Sequence, residues 1–228
     1  MSLPIDRAHP PSRITYDDGA RRLVIRPWAL TDVDALVAAI RASTSELRHF
    51  MPWAHGPITR EGYYELVTRF HANYWAGREY VVGLFSEAGE VLGGAGLHPR
   101  VALNPSGLEV GYWCHTPHAG KGVVTLAVKV LAALAFDRFG CDRFQVMHDE
   151  ANAGSRRVTE KVGFAFEGVM RHATAAVPPE VHAGGYLGTG RHRLYALTPD
   201  DLGELPWLRA VRAATRYHDA LGAPWDGA

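Results

Sequence analysis

The stretch Glu109-Val110-Gly111-Tyr112-Trp113-Cys114-His115-Thr116-Pro117-His118-Ala119-Gly120-Lys121-Gly122 is where the chain changes period. Up to His115, the residues Leu108, Val110, Tyr112 and Cys114 alternate with Glu109, Gly111, Trp113 and His115, the two-residue period of a strand. From Val123 onward, Val123, Leu126, Ala127, Val130, Leu131 and Leu134 fall on one helical stripe. The turn between them ends in Gly120-Lys121-Gly122. A helix that opens on two glycines leaves its first backbone N–H groups bare and approachable. Those donors and the positive end of the helix dipole favour an anion, most often a phosphate. A tight strand-to-helix turn needs the same glycines, so the local sequence leaves both readings open.

Familiar nucleotide loops do not fit. The triphosphate loop G-x-x-x-x-G-K-[ST] fails because Val123 follows Gly122. The dinucleotide fingerprint would put its third glycine where Thr125 stands. Its acidic partner would be Asp142, which precedes the next strand instead of ending it.

At 228 residues the chain is long enough for one sizeable core with decorations. Lysine plus arginine and aspartate plus glutamate balance at 24 each, and zero net charge argues against a generic binder of nucleic acid or anionic membranes. The two cysteines, Cys114 and Cys141, read as small core residues and suggest no disulfide framework. There is no apolar signal core near the N-terminus and no run of membrane-spanning length, so a soluble cytoplasmic protein is expected.

Residues 1–20 are polar and Pro-containing and read as a loosely held arm. Leu23-Val24-Ile25-Arg26 is a short strand stopped by Pro27. Thr31-Asp32 with Asp34 predicts a capped helix to about Ala42, and Thr59 starts a second to about Tyr74. Tyr80–Phe85 and Val91–Leu97 form a hairpin around Glu87-Ala88-Gly89-Glu90. After the opening strand and helix come a strand at Phe144–His148 and a helix at about Gly154–Val162, which Gly163 terminates. Phe164–Arg171 and His192–Leu197 read as closing strands around a Gly/Pro-rich excursion, His172 to Arg191, which is either a flexible lid or disordered surface. From residue 199 to 228 a helical extension is expected, with Leu205, Leu208, Val211 and Leu221 as its apolar stripe. This order gives a mixed sheet flanked by helices, an α/β (α+β) sandwich.

Six pieces in this order carry a resemblance: Leu23-Val24-Ile25-Arg26-Pro27-Trp28, Met51-Pro52-Trp53, Glu109-Val110-Gly111-Tyr112-Trp113, Gly120-Lys121-Gly122, Asn152-x-x-Ser155 and Glu160-Lys161-Val162-Gly163-Phe164. Together the chain resembles the GNAT acyltransferase superfamily, and within it the ribosomal-protein N-acetyltransferase branch, over roughly Arg22 to Leu197. The resemblance implies a mostly antiparallel central sheet with helices on both faces in a domain spanning residues 21–198. It implies acetyl-CoA as cosubstrate without a metal, and transfer of an acetyl group to a primary amine. The phosphate ligand then becomes the pyrophosphate of acyl-coenzyme A.

Acetyl transfer from a thioester needs a held and polarised carbonyl, a neutral amine, and a proton or other stabilisation for the departing thiolate. By resemblance, the pantetheine arm would lie between the strands ending near His115 and Asp149, with backbone amides around Tyr112, Trp113 and Cys114 facing the thioester. Ala119, Gly120, Lys121, Gly122 and Val123 would hold the pyrophosphate, and Asn152 would contact the pantetheine. Ser155 would donate a proton to sulfur. Many family members place a tyrosine acid four residues after this serine, where Thr159 stands here. Helix capping is the competing role for Asn152 and Ser155. Glu109, on the same strand face as Trp113 and His115, is the first candidate base, and an exposed strand-face charge is its plain alternative. His115, His118 and His148 are further candidates. His115-x-x-His118 has a metal-like spacing but no second ligand pair accompanies it.

The acceptor wall is expected from Phe50, Met51 and Trp53, from the helix carrying Tyr63, Tyr64 and Tyr74, and from the segment after Arg171; Trp53 and Tyr64 are the substrate-binding candidates. Two function classes stand: an acetyl-CoA-dependent N-acetyltransferase acting on a protein N-terminus or small molecule, without nucleic acid or membrane partners and possibly homodimeric, or a non-catalytic acyl-CoA-binding sensor or assembly module.

Overall fold

A computed structural model describes residues 9–99, 104–173 and 178–225. The strands are β1 (Arg13–Asp17), β2 (Arg22–Pro27), β3 (Tyr80–Phe85), β4 (Val91–His98), β5 (Leu108–Cys114), β6 (Phe144–Asp149), β7 (Ala165–Arg171), β8 (Arg191–Leu197) and β9 (Thr215–His218). The helices are α1 (Val33–Ala42), α2 (Thr44–Arg48), α3 (Arg60–Trp75), α4 (Val123–Asp137), α5 (Ala153–Val162), α6 (Pro179–Ala183) and α7 (Leu208–Ala214). Among the described residues the strands form one sheet in the order β7-β8-β6-β5-β4-β3-β2-β1-β9. It is mixed and mostly antiparallel, as expected, with β5 and β6 its parallel pair.

That pair decides the architecture. Its paired rungs are Leu108↔Phe144 and Glu109↔Gln145. Beyond those rungs β5 continues along β4 to Cys114, while β6 continues along β8 to Asp149. The two strands therefore part, and a gap opens in the middle of the sheet.

Each face has its own core. On one, Val110, Leu97 and Val146 pack with Leu131 of α4, Val162 of α5 and Leu208 of α7. On the other, Val24 and Phe85 pack with Trp28, Leu36, Ile40 and Val67 under α1 and α3. The expected apolar stripe of α4 is in fact apolar nearly all round, with Val124, Val128, Ala132 and Ala133 also buried. A helix enclosed on several sides has no solvent face to keep polar. Thr59 caps α3 as expected, its hydroxyl accepting the Gly62 N–H at 3.1 Å. Asp32 does not cap α1 with its side chain; it accepts the Ala29 N–H at 2.8 Å and grips Arg26 at 2.6 and 2.8 Å.

Both chain ends depart from expectation. The arm expected over residues 1–20 enters the sheet at β1, with Ile14 and Tyr16 buried; residues 1–8 lie outside the described residues. The extension is helical only over α7 and then becomes β9, which pairs antiparallel with β1 at Ile14↔Tyr217 and Tyr16↔Thr215. Leu205, Leu208 and Val211 are buried in the main core, so their stripe finds its partner inside the chain. Leu221 is 94% exposed and takes no part. No helix among the described residues is long and apolar enough to cross a membrane.

Candidate active site

A cleft of about 790 Å³ fills the gap between β5 and β6 and continues under α1 and α3. Its floor is made small on purpose of space. Gly94 and Gly96 of β4 lie beneath the Trp113 indole and the His98 imidazole, and a Cβ at either position would come within 2.4 or 2.7 Å of those rings. Gly111, across from Gly96, completes this floor.

One side of the mouth is the start of α5. Asn152 is the N-cap, and its side-chain oxygen accepts the Ser155 N–H at 2.9 Å. Both residues line the cleft. Tyr112 reaches across from β5 and donates its hydroxyl to the Ser155 carbonyl at 3.4 Å; burial pushes its phenol up to about 12. The opposite side is built by Phe50, Met51 and Trp53, with Tyr63, Leu66 and Phe70 of α3.

At the far end of β5, Gly120 and Gly122 have φ of +76° and +80°, a region that favours glycine, and a Cβ at either would meet nothing within 4 Å. The first backbone bond of α4 runs from the Leu126 N–H to the Gly122 carbonyl at 3.0 Å. The N–H groups of Val123, Val124 and Thr125 precede it and form the helix's open anion-favouring end. This loop lies beyond the cleft walls, at the C-terminal end of the same strand that lines the cleft. A ligand with a phosphate at one end and an extended arm therefore has a continuous strand edge to follow.

The Acetyltransferase (GNAT) domain family matches residues 22–165. The chain belongs to the GNAT acetyltransferase family. Among its relatives is the probable N-acetyltransferase YjcK of Bacillus subtilis, 27% identical over 153 residues that cover 66% of this chain and 84% of that protein. The fold matches Mycobacterium smegmatis RimJ in complex with CoA-disulfide, with a TM-score of 0.71 at 20% identity over 91% of this chain and 95% of that one. It also matches the ribosomal-protein-S5-alanine acetyltransferase of Vibrio fischeri, with a TM-score of 0.68 at 16% identity over 82% and 97%.

Within this GNAT domain the structure redistributes several expected roles. Tyr64 is 47% exposed and does not line the cleft; its neighbour Tyr63, 9% exposed, does. One step along a helix turns a side chain by about 100°, which is enough to exchange the two. Glu109 sits on the last paired rung, below the point where the strands part, and is not among the cleft residues. The Gln145 amide donates to it at 2.9 Å, so its carboxylate ties β5 to β6. Thr159 is fully buried and donates its hydroxyl to the Arg156 carbonyl at 2.7 Å, so it does not replace a tyrosine acid. His115 bonds the Val91 carbonyl at 2.9 Å and His118 pairs with Glu90 at 3.0 Å. Their rings are neighbours at 5.4 Å, but among the described residues no group of three histidine, cysteine or carboxylate side chains is placed to hold a metal.

Residues of this GNAT cleft that sequence reading passed over come mainly from strand ends. Glu79 and His98 form a 2.6 Å pair over the floor. Asp149 and Tyr186 also line the cleft. The described part of the expected lid is held down: the Leu187 N–H donates to the His49 carbonyl at 2.8 Å, and Tyr186 is buried beside His55 and His182. Tyr186 thereby forms part of the cleft wall; residues 174–177 lie outside the described residues.

Proposed function

We propose that this protein takes acetyl-CoA as donor and transfers its acetyl group directly to the primary amine of a peptide N-terminus or an apolar small molecule. The observation that carries the reading is the parting of β5 from β6 beside the open N-terminus of α4, which offers a slot for pantetheine and an anion site in line with it. The donor's pyrophosphate meets the backbone of Ala119, Gly120, Lys121, Gly122 and Val123. The arm follows Tyr112, Trp113 and Cys114, and Asn152 and Ser155 close the slot from α5. The Ser155 hydroxyl protonates the departing thiolate. The acceptor enters between Trp53 and Tyr63, where the wall is aromatic and aliphatic.

A cytoplasmic location accords with this donor and with two free cysteines. A homodimer accords with the edge strand β7, which exposes Phe166, Val169 and Met170. The sensor alternative keeps donor binding and lacks turnover. Calorimetric titration with acetyl-CoA, followed by thiol-release assays over a panel of amines, separates the two. Binding with thiol release supports the enzyme, and binding without release on every amine supports the sensor.

A further inference from the structure

His148 lies on β6 four residues past the Phe144 rung and Tyr112 on β5 four residues past Leu108, so the two residues stand on opposite sides of the gap. Both line the cleft with Ser155. The His148 side chain is 6% exposed and its ring stacks on Tyr195 at 5.3 Å and 19°. Its Nδ1 is 3.0 Å from the Asp149 backbone carbonyl. A carbonyl only accepts, so Nδ1 carries the proton and Nε2 presents a bare lone pair. Among the described residues that Nε2 has no hydrogen-bond partner. A buried acceptor left unpaired costs free energy, and buried polar atoms without partners are uncommon enough to need a reason.

Resting on the acetyl-transfer reading above, we propose that His148 is the base of that reaction, its Nε2 taking the proton of the attacking amine. The amine nitrogen bonds to the thioester carbonyl carbon and loses one proton to Nε2. The carbon–sulfur bond breaks, and the thiolate takes a proton from the Ser155 hydroxyl, which solvent restores. The carboxylates that β5 and β6 themselves bring to the gap are committed elsewhere. Asp149 accepts from the Ala151, Thr189 and Gly190 N–H groups and from the Thr189 hydroxyl, and Glu109 is held by Gln145 below the gap. Around the imidazole stand Asp149 on its own strand, Arg193, His192 and Tyr195 on β8, and Tyr112 across the gap. Burial first, then Arg193 and His192, hold its pKa below the ordinary imidazole value, so it is neutral and able to accept at neutral pH.

The test uses the full chain with acetyl-CoA and, as acceptors, 2-phenylethylamine and unblocked hexapeptides beginning with Ala, Ser or Met. With kcat/KM expressed on the free-base concentration of the amine, which removes the acceptor's own ionisation, the parent should fall on the acid side with an apparent pKa below about 6.5. His148→Gln should lower kcat/KM roughly 10²-fold, abolish that acid limb and leave acetyl-CoA affinity within twofold. Imidazole in solution should restore part of the activity of His148→Ala. Turnover within threefold of the parent, or a loss that follows acetyl-CoA affinity or melting temperature while the limb stays, would assign His148 to packing or to a buried water and overturn the proposal. A parent without an acid limb overturns it with no variant needed. A parent that releases no thiol with any acceptor overturns the acetyl-transfer reading itself, and this proposal with it.

Discussion

The side-chain oxygen of Asn152 accepts the backbone N–H of Ser155 at 2.9 Å, so Asn152 caps α5 and the Ser155 hydroxyl, at the third helical position, is not the cap. Among the described residues the Ser155 hydroxyl makes no hydrogen bond, and it lines the cleft. If Ser155 protonates the thiolate as proposed, capping and catalysis are divided between two residues, and their variants should separate. Ser155→Ala should lower kcat roughly 10²-fold with acetyl-CoA affinity nearly unchanged. Asn152→Ala should cost about 1 kcal/mol of stability, read as a fall of about 2–4 °C in Tm. Equal turnover in Ser155→Ala would move the acid role to water.

The glycine loop predicts a second separation. At φ +76° any L-residue strains the backbone at Gly120 by about 1–2 kcal/mol, although its side chain would meet open space. Gly120→Glu adds a negative charge at the open end of α4 and should weaken acetyl-CoA at least tenfold by calorimetry. Gly120→Ala carries the strain alone and should weaken it less. Equal affinities for both variants and the parent would remove the loop from donor binding.

Arg26 and Asp32 predict a pH dependence of stability. Burial pushes the Asp32 carboxyl up, but the Arg26 guanidinium and the Ala29 N–H outweigh it and leave the group below the usual carboxylate range. A carboxyl lowered on folding contributes stability above its unfolded pKa of about 3.9, and that contribution fades as pH falls through the folded value. Asp32→Asn should therefore lose about 1.5–3 kcal/mol at pH 7, and its gap to the parent should close in acid. A gap that is constant with pH would show the loss to be one of packing.

The last segment is part of the fold. Leu208 and Val211 are buried, the Trp207 indole donates to the Val162 carbonyl at 2.8 Å, and β9 covers the edge of β1. Truncation after Thr198 should expose that core surface and bare a sheet edge, giving an insoluble chain or a Tm lowered by many degrees. A soluble truncation with the parent's Tm would make the segment dispensable.

What the sequence discloses follows the range of each interaction. The strand–turn–α4 unit is legible because its period changes within a few residues, and α5 because Asn152 and Gly163 mark its two ends. The pairing of β1 with β9 joins residues from opposite ends of the chain, and nothing local announces it: Ile14 and Tyr16 alternate inside a lead that otherwise reads as polar. Glu109 shows its strand face in the sequence, but whether that level opens into the cleft depends on where β6 leaves β5. Tyr63 and Tyr64 are adjacent on a helix with mixed faces, so which one turns inward is settled by packing against α1 and the aromatic turn.

Acceptor choice should rest mainly on Trp53. It stands on a short turn at the cleft rim, lines the cleft and is 48% exposed, so its removal leaves the two cores intact. Its neighbours in the wall are Phe50, Met51, Tyr63, Leu66 and Phe70, while the charged Glu65 and Arg69 offset each other. An apolar acceptor covering the open half of this indole gains part of the roughly 1.5–3 kcal/mol available from full burial of one large side chain. Trp53→Ala should therefore raise KM about 3–10-fold for 2-phenylethylamine and for peptides with a large first residue, with kcat nearly unchanged. Its Tm should stay within about 2 °C of the parent, as expected of a surface substitution. Small polar amines should show little change. Steering by charge would give the opposite pattern: a preference for polyamines that collapses in high salt and ignores Trp53→Ala. Measuring both amine classes at low and high salt decides between them, and that second pattern would place the acceptor's recognition on the Glu65 and Glu79 carboxylates instead of the aromatic rim.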